Sequence, residues 1–174
     1  MNLRTIYNRA GERAVLLCPP HPKYGGSMYD VRLERISRKL ILRRISTLRF
    51  DYRSVEKAVE DAKICFECLK ERHGSVGVLG YSFGSVIASH ICGNAIALLS
   101  PFRRIDGYEL RDCDAPKLVV IAKRDQFISL RDSLSILGLL SEPKRVVILE
   151  TDHFYTGKFD VLSDIVAEFF DSNL

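Results

Sequence analysis

The chain has 174 residues, 47% of which are hydrophobic, and a formal net charge of +4 at pH 7. This length predicts a single core, and the hydrophobic content excludes a disordered chain. The small positive charge, without aromatic residues between the basic ones, argues against nucleic-acid binding. Since no apolar run is long enough to span a membrane and residues 1–4 do not open a signal peptide, we expect a cytoplasmic protein that binds no membrane.

The chain alternates short, uniformly apolar runs with segments whose apolar residues recur at helical spacing. The apolar runs are typical of strands buried on both faces, and the amphipathic segments are typical of helices. In chain order, the first half predicts strands at residues 3–7 and 13–18, a helix at 29–43, a strand at 45–50, a helix capped by Ser54 that ends at His73 and Gly74, and a strand at 75–79.

The second half continues this alternation directly after Ser82. In chain order, it predicts a helix through about Ile91, strands at residues 95–99 and 117–122, a short helix at 130–141, a strand at 145–149 and a terminal helix that begins near Phe159. Apolar strands alternating with helices predict an α/β fold with a mostly parallel central sheet of about six to seven strands, flanked by helices. No repeat or linker interrupts the pattern, so we predict one domain over residues 1–174 with no lid domain.

Ser82 lies between a predicted strand and a predicted helix, in the sequence Gly80-Tyr81-Ser82-Phe83-Gly84. The flanking glycines allow a sharp turn from strand to helix without a side-chain clash, and this turn raises the serine Oγ above the sheet edge. The backbone N–H of Phe83 then points to the space beside that oxygen, where it can stabilise an oxyanion. We therefore interpret Ser82 as a nucleophile and the chain as a serine hydrolase.

Two further polar residues stand at the carboxyl ends of predicted strands, where ligands bind in a parallel sheet. Asp125 follows the strand at residues 117–122, and His153 follows the strand at 145–149. With Ser82 they give the order nucleophile, acid, base that the α/β-hydrolase fold uses. His153 is predicted to accept the serine proton as general base, while Asp125 orients its ring and stabilises the charged form.

The sequence leaves alternatives to this triad open. Asp106, Asp114 and Asp152 compete with Asp125 for the role of the acid. His21 is a rival base, but it precedes the nucleophile and lies on the loop that should supply the second oxyanion donor. We therefore interpret His21 as a residue that shapes this loop or contacts the substrate.

The second oxyanion N–H should come from the loop after the strand at residues 13–18. Because the prolines at positions 19, 20 and 22 have no N–H, Lys23 is the first candidate donor and Tyr24 the second. The arginines that follow the strand at residues 95–99 would favour an acidic acyl or leaving group, although simple solvation explains them as well. The candidate substrate contacts are His21, Tyr81, Arg103 and Arg104.

The five cysteines do not suggest a disulfide framework. Cys65 and Cys68 have CxxC spacing, but they lie inside a helical pattern, and no second CxxC completes a zinc site. We therefore expect buried or half-buried free thiols and no metal site.

Five motifs stand together at the ends of these elements: His21-Pro22-Lys23-Tyr24-Gly25-Gly26-Ser27-Met28, Leu48-Arg49-Phe50-Asp51-Tyr52-Arg53, Gly80-Tyr81-Ser82-Phe83-Gly84, Asp125-Gln126 and Asp152-His153-Phe154. In these motifs, from about Ala14 to its end, the chain resembles the small lidless α/β-hydrolases of the dienelactone hydrolase-like, carboxylesterase-like branch. The resemblance implies catalytic roles for Ser82, Asp125 and His153 and a reaction that needs no metal or other cofactor.

These observations together predict a hydrolase of carboxylic esters or thioesters of small substrates, acting through an acyl-enzyme. A peptidase or a C–C bond hydrolase would use the same triad, and a non-catalytic binding protein with this fold is a third alternative. The expected partner is a small ester or thioester, with no nucleic acid and no membrane. A homodimer is also open, because the edge strands of so small a sheet need cover.

Overall fold

A computed structural model describes residues 3–174 as a layered α/β structure. The strands are β1 (Thr5–Asn8), β2 (Arg13–Cys18), β3 (Ile45–Phe50), β4 (Ser75–Tyr81), β5 (Ile96–Leu99), β6 (Arg104–Ile105), β7 (Tyr108–Glu109), β8 (Lys117–Ala122) and β9 (Lys144–Leu149). The helices are α1 (Val31–Leu42), α2 (Ala58–Lys70), α3 (Phe83–Ser89), α4 (Leu130–Leu137) and α5 (Phe159–Asn173). Within residues 3–174, no helix is both long and apolar enough to cross a membrane.

The central sheet has seven strands in the order β1-β3-β2-β4-β5-β8-β9. Strand β1 pairs antiparallel with β3 at one edge, and the other neighbouring strands run parallel. The predicted fold class, a mostly parallel sheet flanked by helices, is therefore confirmed. In this arrangement the carboxyl ends of β2, β4, β8 and β9 open toward one edge of the sheet, and that edge carries the candidate site.

Helices cover both faces of the sheet, so its strands contribute to two cores. Along β2, Ala14 and Leu16 pack into the core that contains α2 and α3. Val15 and Leu17 pack into the core that contains α1 and α5. Because alternate side chains of a strand point to opposite faces, a strand covered on both sides has no solvent-facing position and is mostly apolar.

Predicted strand boundaries agree with the structure to within two residues, but three helix boundaries differ by more: both ends of α2, which ends at Lys70 and not at residues 73–74, and the end of α4. The predicted cap at Ser54 is wrong, since α2 begins at Ala58. The buried carboxylate of Asp61 accepts hydrogen bonds from the Arg53 N–H at 2.7 Å and from its Nε at 2.6 Å, which holds the preceding residues in a loop. Helix α4 ends at Leu137 instead of near residue 141.

The segment between β5 and β8 contains an antiparallel hairpin of β6 and β7 that the sequence pattern did not predict. Two-residue strands are too short to show a period of two. Beyond the hairpin, Cys113 forms a disulfide with Cys92, which follows α3, at a Cα–Cα distance of 6.2 Å. The prediction of free thiols is therefore wrong for these two cysteines, and it is confirmed for Cys18, Cys65 and Cys68.

Removing this disulfide is expected to lower the free energy of unfolding by about 3 kcal/mol, because the link closes a segment with a sequence separation of 21. On addition of a thiol reductant, the wild type should unfold at a lower urea concentration. The Cys92→Ser/Cys113→Ser variant should have the unfolding midpoint of the reduced wild type, and the reductant should not change it. Cys68→Ser, which changes a free thiol, should keep the reductant effect, and equal behaviour of all three proteins would contradict the prediction.

Candidate active site

Ser82 occupies a strained turn between β4 and α3. Its φ of 57° and ψ of −121° lie in a region that residues with a Cβ rarely adopt. A Cβ atom on Gly80 would lie 2.0 Å from the Gly84 backbone oxygen, and one on Gly84 would lie 2.2 Å from the Cys18 backbone oxygen. The two flanking glycines are therefore needed for close packing of the backbone, and this packing sets Ser82 at the base of an open pocket.

The structure brings the three predicted catalytic residues together. His153 Nε2 lies 3.0 Å from Ser82 Oγ, and His153 Nδ1 lies 2.6 Å from Asp125 Oδ2. The side chains of His153 and Asp125 are 5% and 1% exposed. Because a carboxylate faces Nδ1, that nitrogen carries the ring proton in the neutral histidine, and Nε2 is left as an acceptor for the serine proton.

Asp125 is held as an ionised carboxylate. Burial alone would raise the pKa of Asp125, but hydrogen bonds from His153 and from the N–H groups of Phe127 and Ile128 hold it below its ordinary value. The two backbone donors lie 2.8 and 3.0 Å from Asp125 Oδ1, so each carboxylate oxygen has its own partners. Of the competing acids, Asp152 accepts the Thr156 N–H, so Asp125 is the carboxylate that faces the histidine ring.

The backbone of His153 is fixed from two sides. Its N–H donates to Gln126 Oε1 at 3.0 Å, and its carbonyl accepts the hydroxyl of Tyr81 at 3.0 Å. The Tyr81 ring also lies against the His153 ring, with a centroid distance of 5.5 Å. Tyr81 lines the pocket and supports the histidine, while its predicted contact with the substrate stays a prediction. Sequence reasoning missed the role of Gln126, although the Asp125-Gln126 pair was the signal for it.

The loop after β2 does not offer the oxyanion donors predicted for it. A 3₁₀ turn at Pro22–Tyr24 uses these groups, because the Lys23 N–H donates to His21 Nδ1 and the Tyr24 N–H to the His21 carbonyl, both at 3.1 Å. The prediction of Lys23 and Tyr24 is therefore wrong. The His21 N–H, which lies between two prolines, has no acceptor among residues 3–174, and neither has the Phe83 N–H at the start of α3.

The His21 side chain fixes the loop that carries this N–H. The ring is buried, accepts the Lys23 N–H at Nδ1 and forms a hydrogen bond from Nε2 to Asp106. Asp106 lies in the turn of the β6–β7 hairpin, so His21 joins the hairpin to the loop. The ring centroids of His21 and Phe83 are 4.8 Å apart. His21 therefore shapes the loop, as one of the two sequence interpretations has it.

The pocket above Ser82 has a volume of about 560 Å³ and largely aromatic walls. Its aromatic and branched aliphatic lining residues, apart from the histidines, are Tyr24, Tyr81, Phe102, Ile105, Phe127 and Phe154. Neither Arg103 nor Arg104 lines it; both are exposed, and Arg104 pairs with Glu109 across the hairpin at 3.7 Å. The predicted substrate contact by these two arginines is therefore not seen. In the described part of the chain, no group of His, Cys, Asp or Glu side chains is arranged to hold a metal ion.

The fold of this chain is similar to those of several solved structures, although the sequence identities are low. No protein-family model matches the chain. An uncharacterised protein of Rickettsia prowazekii is 22% identical, over 88% of this chain and 76% of that protein. An α/β serine hydrolase homologue from Coxiella burnetii superposes with a TM-score of 0.85 at 21% identity, covering 95% of this chain and 90% of that one. An α/β serine hydrolase without a lid, from Xanthomonas campestris, gives 0.85 at 18% identity, covering 96% and 87%.

Proposed function

We propose that this chain, which has the lidless α/β-hydrolase fold, is a serine hydrolase of carboxylic esters or thioesters of small molecules. The observation that carries the proposal is the hydrogen-bonded series of Ser82, His153 and Asp125 at the base of the pocket. The strained backbone of Ser82 supports it as well. A binding protein would gain nothing from a turn that costs free energy, whereas an enzyme uses it to present the nucleophile.

The geometry supports a two-step reaction. As Ser82 Oγ attacks the carbonyl carbon, His153 Nε2 accepts its proton and Asp125 stabilises the charged ring. The carbonyl oxygen becomes an oxyanion that accepts the N–H groups of Phe83 and His21. His153 then returns the proton to the leaving oxygen or sulfur, and the acyl-enzyme remains on Ser82. Water attacks the acyl-enzyme with the same base, which releases the acid and restores the serine.

Pocket size favours a small ester over an extended peptide. About 560 Å³ accommodates one small molecule, and the pocket lies within the range of typical ligand sites. Cleavage of peptide or C–C bonds would use the same three residues, so these reactions belong in the substrate panel once an activated serine has been demonstrated.

Labelling with a fluorophosphonate probe tests the proposal directly. Mass spectrometry of the wild type should place one phosphonate adduct on Ser82, and Ser82→Ala should prevent it. His153→Ala should slow labelling by orders of magnitude, because the serine loses its base. Ser135→Ala, at an exposed position on α4, should label like the wild type. A folded wild-type protein that takes no label would contradict the proposal and favour the binding-protein alternative.

Replacing Asp106 with alanine is expected to lower kcat by about 10- to 100-fold with little change in KM. Without the Asp106 carboxylate, the His21 ring is free to rotate and the second oxyanion donor can move. Small displacements of such a donor lower kcat by factors of this size. Asp106→Asn should retain most of the activity, because an amide oxygen still accepts from His21 and asparagine tolerates the φ of 47° at this position.

Steady-state kinetics on a soluble ester would distinguish these variants. Glu109→Ala, an exposed change in the same hairpin, is the matched control and should behave like the wild type. If Asp106→Ala raised KM without lowering kcat, or if Asp106→Asn were as impaired as alanine, the Asp106–His21 contact would not position the oxyanion donor.

A further inference from the structure

Three phenylalanine rings surround His153 on the open side of the pocket. The ring centroids of Phe102, Phe127 and Phe154 lie 6.0, 4.9 and 5.7 Å from the His153 centroid. Phe127 and Phe154 also pack edge to face, 5.8 Å apart. Although they are large and apolar, these two residues are 60% and 42% exposed. Apolar surface left open beside a nucleophile marks a place where a ligand is bound.

The position of this phenylalanine cluster relates it to one part of the substrate. His153 Nε2 has to reach both Ser82 Oγ and the leaving oxygen, so the leaving group must lie against the imidazole ring. The carbonyl oxygen points instead to the N–H groups of Phe83 and His21. The phenylalanine cluster therefore faces the leaving group. Its three rings can pack edge to face or offset against an aromatic ring of the ligand, which stabilises binding.

The charges that line the pocket are already paired. Arg32 Nε donates to Asp30 Oδ1 at 2.9 Å, and a second guanidinium nitrogen contacts the other carboxylate oxygen. The same guanidinium lies 4.6 Å from the Tyr81 ring centroid, and its remaining terminal nitrogen donates to the Phe154 carbonyl at 3.2 Å. Because each guanidinium nitrogen of Arg32 already has a partner within the protein and Asp30 compensates its charge, the pocket, as lined by the described residues, offers an anionic substrate no unpaired cation.

We infer that the substrate is a neutral ester whose leaving alcohol carries an aromatic ring, and that the phenylalanine cluster binds this ring. The inference rests on the proposed hydrolase function of Ser82. In the reaction, the bond between the carbonyl carbon and the alkoxy oxygen breaks, and His153 returns the serine proton to that oxygen. Hydrolysis consumes one water molecule and releases a neutral aromatic alcohol and a carboxylic acid.

A series of butyrate esters that differ in the alcohol alone tests the inference. The values of kcat/KM are expected to fall in the order benzyl, cyclohexylmethyl, ethyl and carboxymethyl, with benzyl about tenfold above ethyl. The cyclohexylmethyl ester separates aromatic contacts from bulk, and the carboxymethyl ester tests the exclusion of anions. Phe127→Leu and Phe154→Leu should each lower the benzyl-to-ethyl ratio by about threefold or more.

Tyr29→Leu is the matched control, because Tyr29 is an exposed aromatic residue outside the pocket, and it should keep the wild-type ratio. The inference would be overturned by equal kcat/KM values for the benzyl and ethyl esters or by a preference for the carboxymethyl ester. It would also be overturned if neither phenylalanine variant changed the benzyl-to-ethyl ratio. In those cases, hydrolysis of the ethyl ester and labelling of Ser82 would leave the proposed function standing. If no ester is hydrolysed and Ser82 takes no fluorophosphonate label, both proposals fail together.

Discussion

Replacing Ser82 with glycine is expected to abolish ester hydrolysis and, in the same protein, to raise the free energy of unfolding by about 1 kcal/mol. Loss of the nucleophile should lower kcat by a factor on the order of 10⁶. The gain in stability follows from the backbone, since φ of 57° with ψ of −121° costs a residue with a Cβ about 1–3 kcal/mol. Glycine removes this strain, although its greater freedom in the unfolded chain offsets about 0.5–1 kcal/mol of the gain.

Ser82→Ala separates the two effects. Alanine also lacks the nucleophile, but it keeps the Cβ and hence the strain, so it should lose the same activity without the gain in stability. Urea unfolding of the three proteins, with circular dichroism as the probe, measures the difference. A glycine variant no more stable than the alanine variant would show that the turn is unstrained in solution.

The sheet and the catalytic residues were predictable because each depends on a local pattern. Runs dominated by apolar residues predict strands covered on both faces, and β2 and β8 match their predicted bounds residue for residue. The bounds of β3 match as well, although Ser46, Thr47 and Arg49 interrupt its apolar pattern. Polar residues directly after such strands must then share one edge of a parallel sheet. That rule alone brings Ser82, Asp125 and His153 together, although Ser82 and His153 are 71 positions apart in the sequence.

The remaining parts of the site depend on contacts that no local pattern records. The identity of the second oxyanion donor depends on which N–H groups already donate within the 3₁₀ turn at Pro22–Tyr24. Those hydrogen bonds have His21 as their acceptor and are visible only in the folded loop. The partner of His21 comes from Asp106, 85 positions away. The disulfide likewise joins two loops that meet only when the segment between β5 and β8 contacts α3, where the Arg111 N–H donates to Ser89 Oγ at 3.0 Å.

The Ser54 cap shows a local signal that tertiary contacts override. Serine before an amphipathic segment is a good helix cap. In the folded chain, the Asp61 carboxylate is fully buried and needs partners, and it obtains them from the N–H and guanidinium of Arg53. These contacts require the residues between Arg53 and α2 to form a loop, so the start of the helix moves to Ala58.

Replacing Asp125 with asparagine is expected to lower kcat by a factor on the order of 10⁴, with KM nearly unchanged and the fold intact. In the wild type, the N–H groups of Phe127 and Ile128 donate to Asp125 Oδ1, and the amide oxygen of the variant can accept the same two hydrogen bonds. The amide nitrogen then faces His153 Nδ1 and donates to it. This forces the ring proton onto Nε2, where the histidine can no longer accept the proton of Ser82.

Asp152→Asn is the control, because this carboxylate neighbours His153 in sequence but accepts the Thr156 N–H at 3.0 Å. Its kcat should stay within about threefold of the wild type, as for a side chain that only stabilises a turn. Measuring kcat and KM of both variants on the same ester distinguishes the two acids. A larger loss in Asp152→Asn would transfer the role of the acid to that residue. A loss confined to Asp125→Asn, with an unchanged unfolding midpoint, would show that the carboxylate acts through the tautomer of His153.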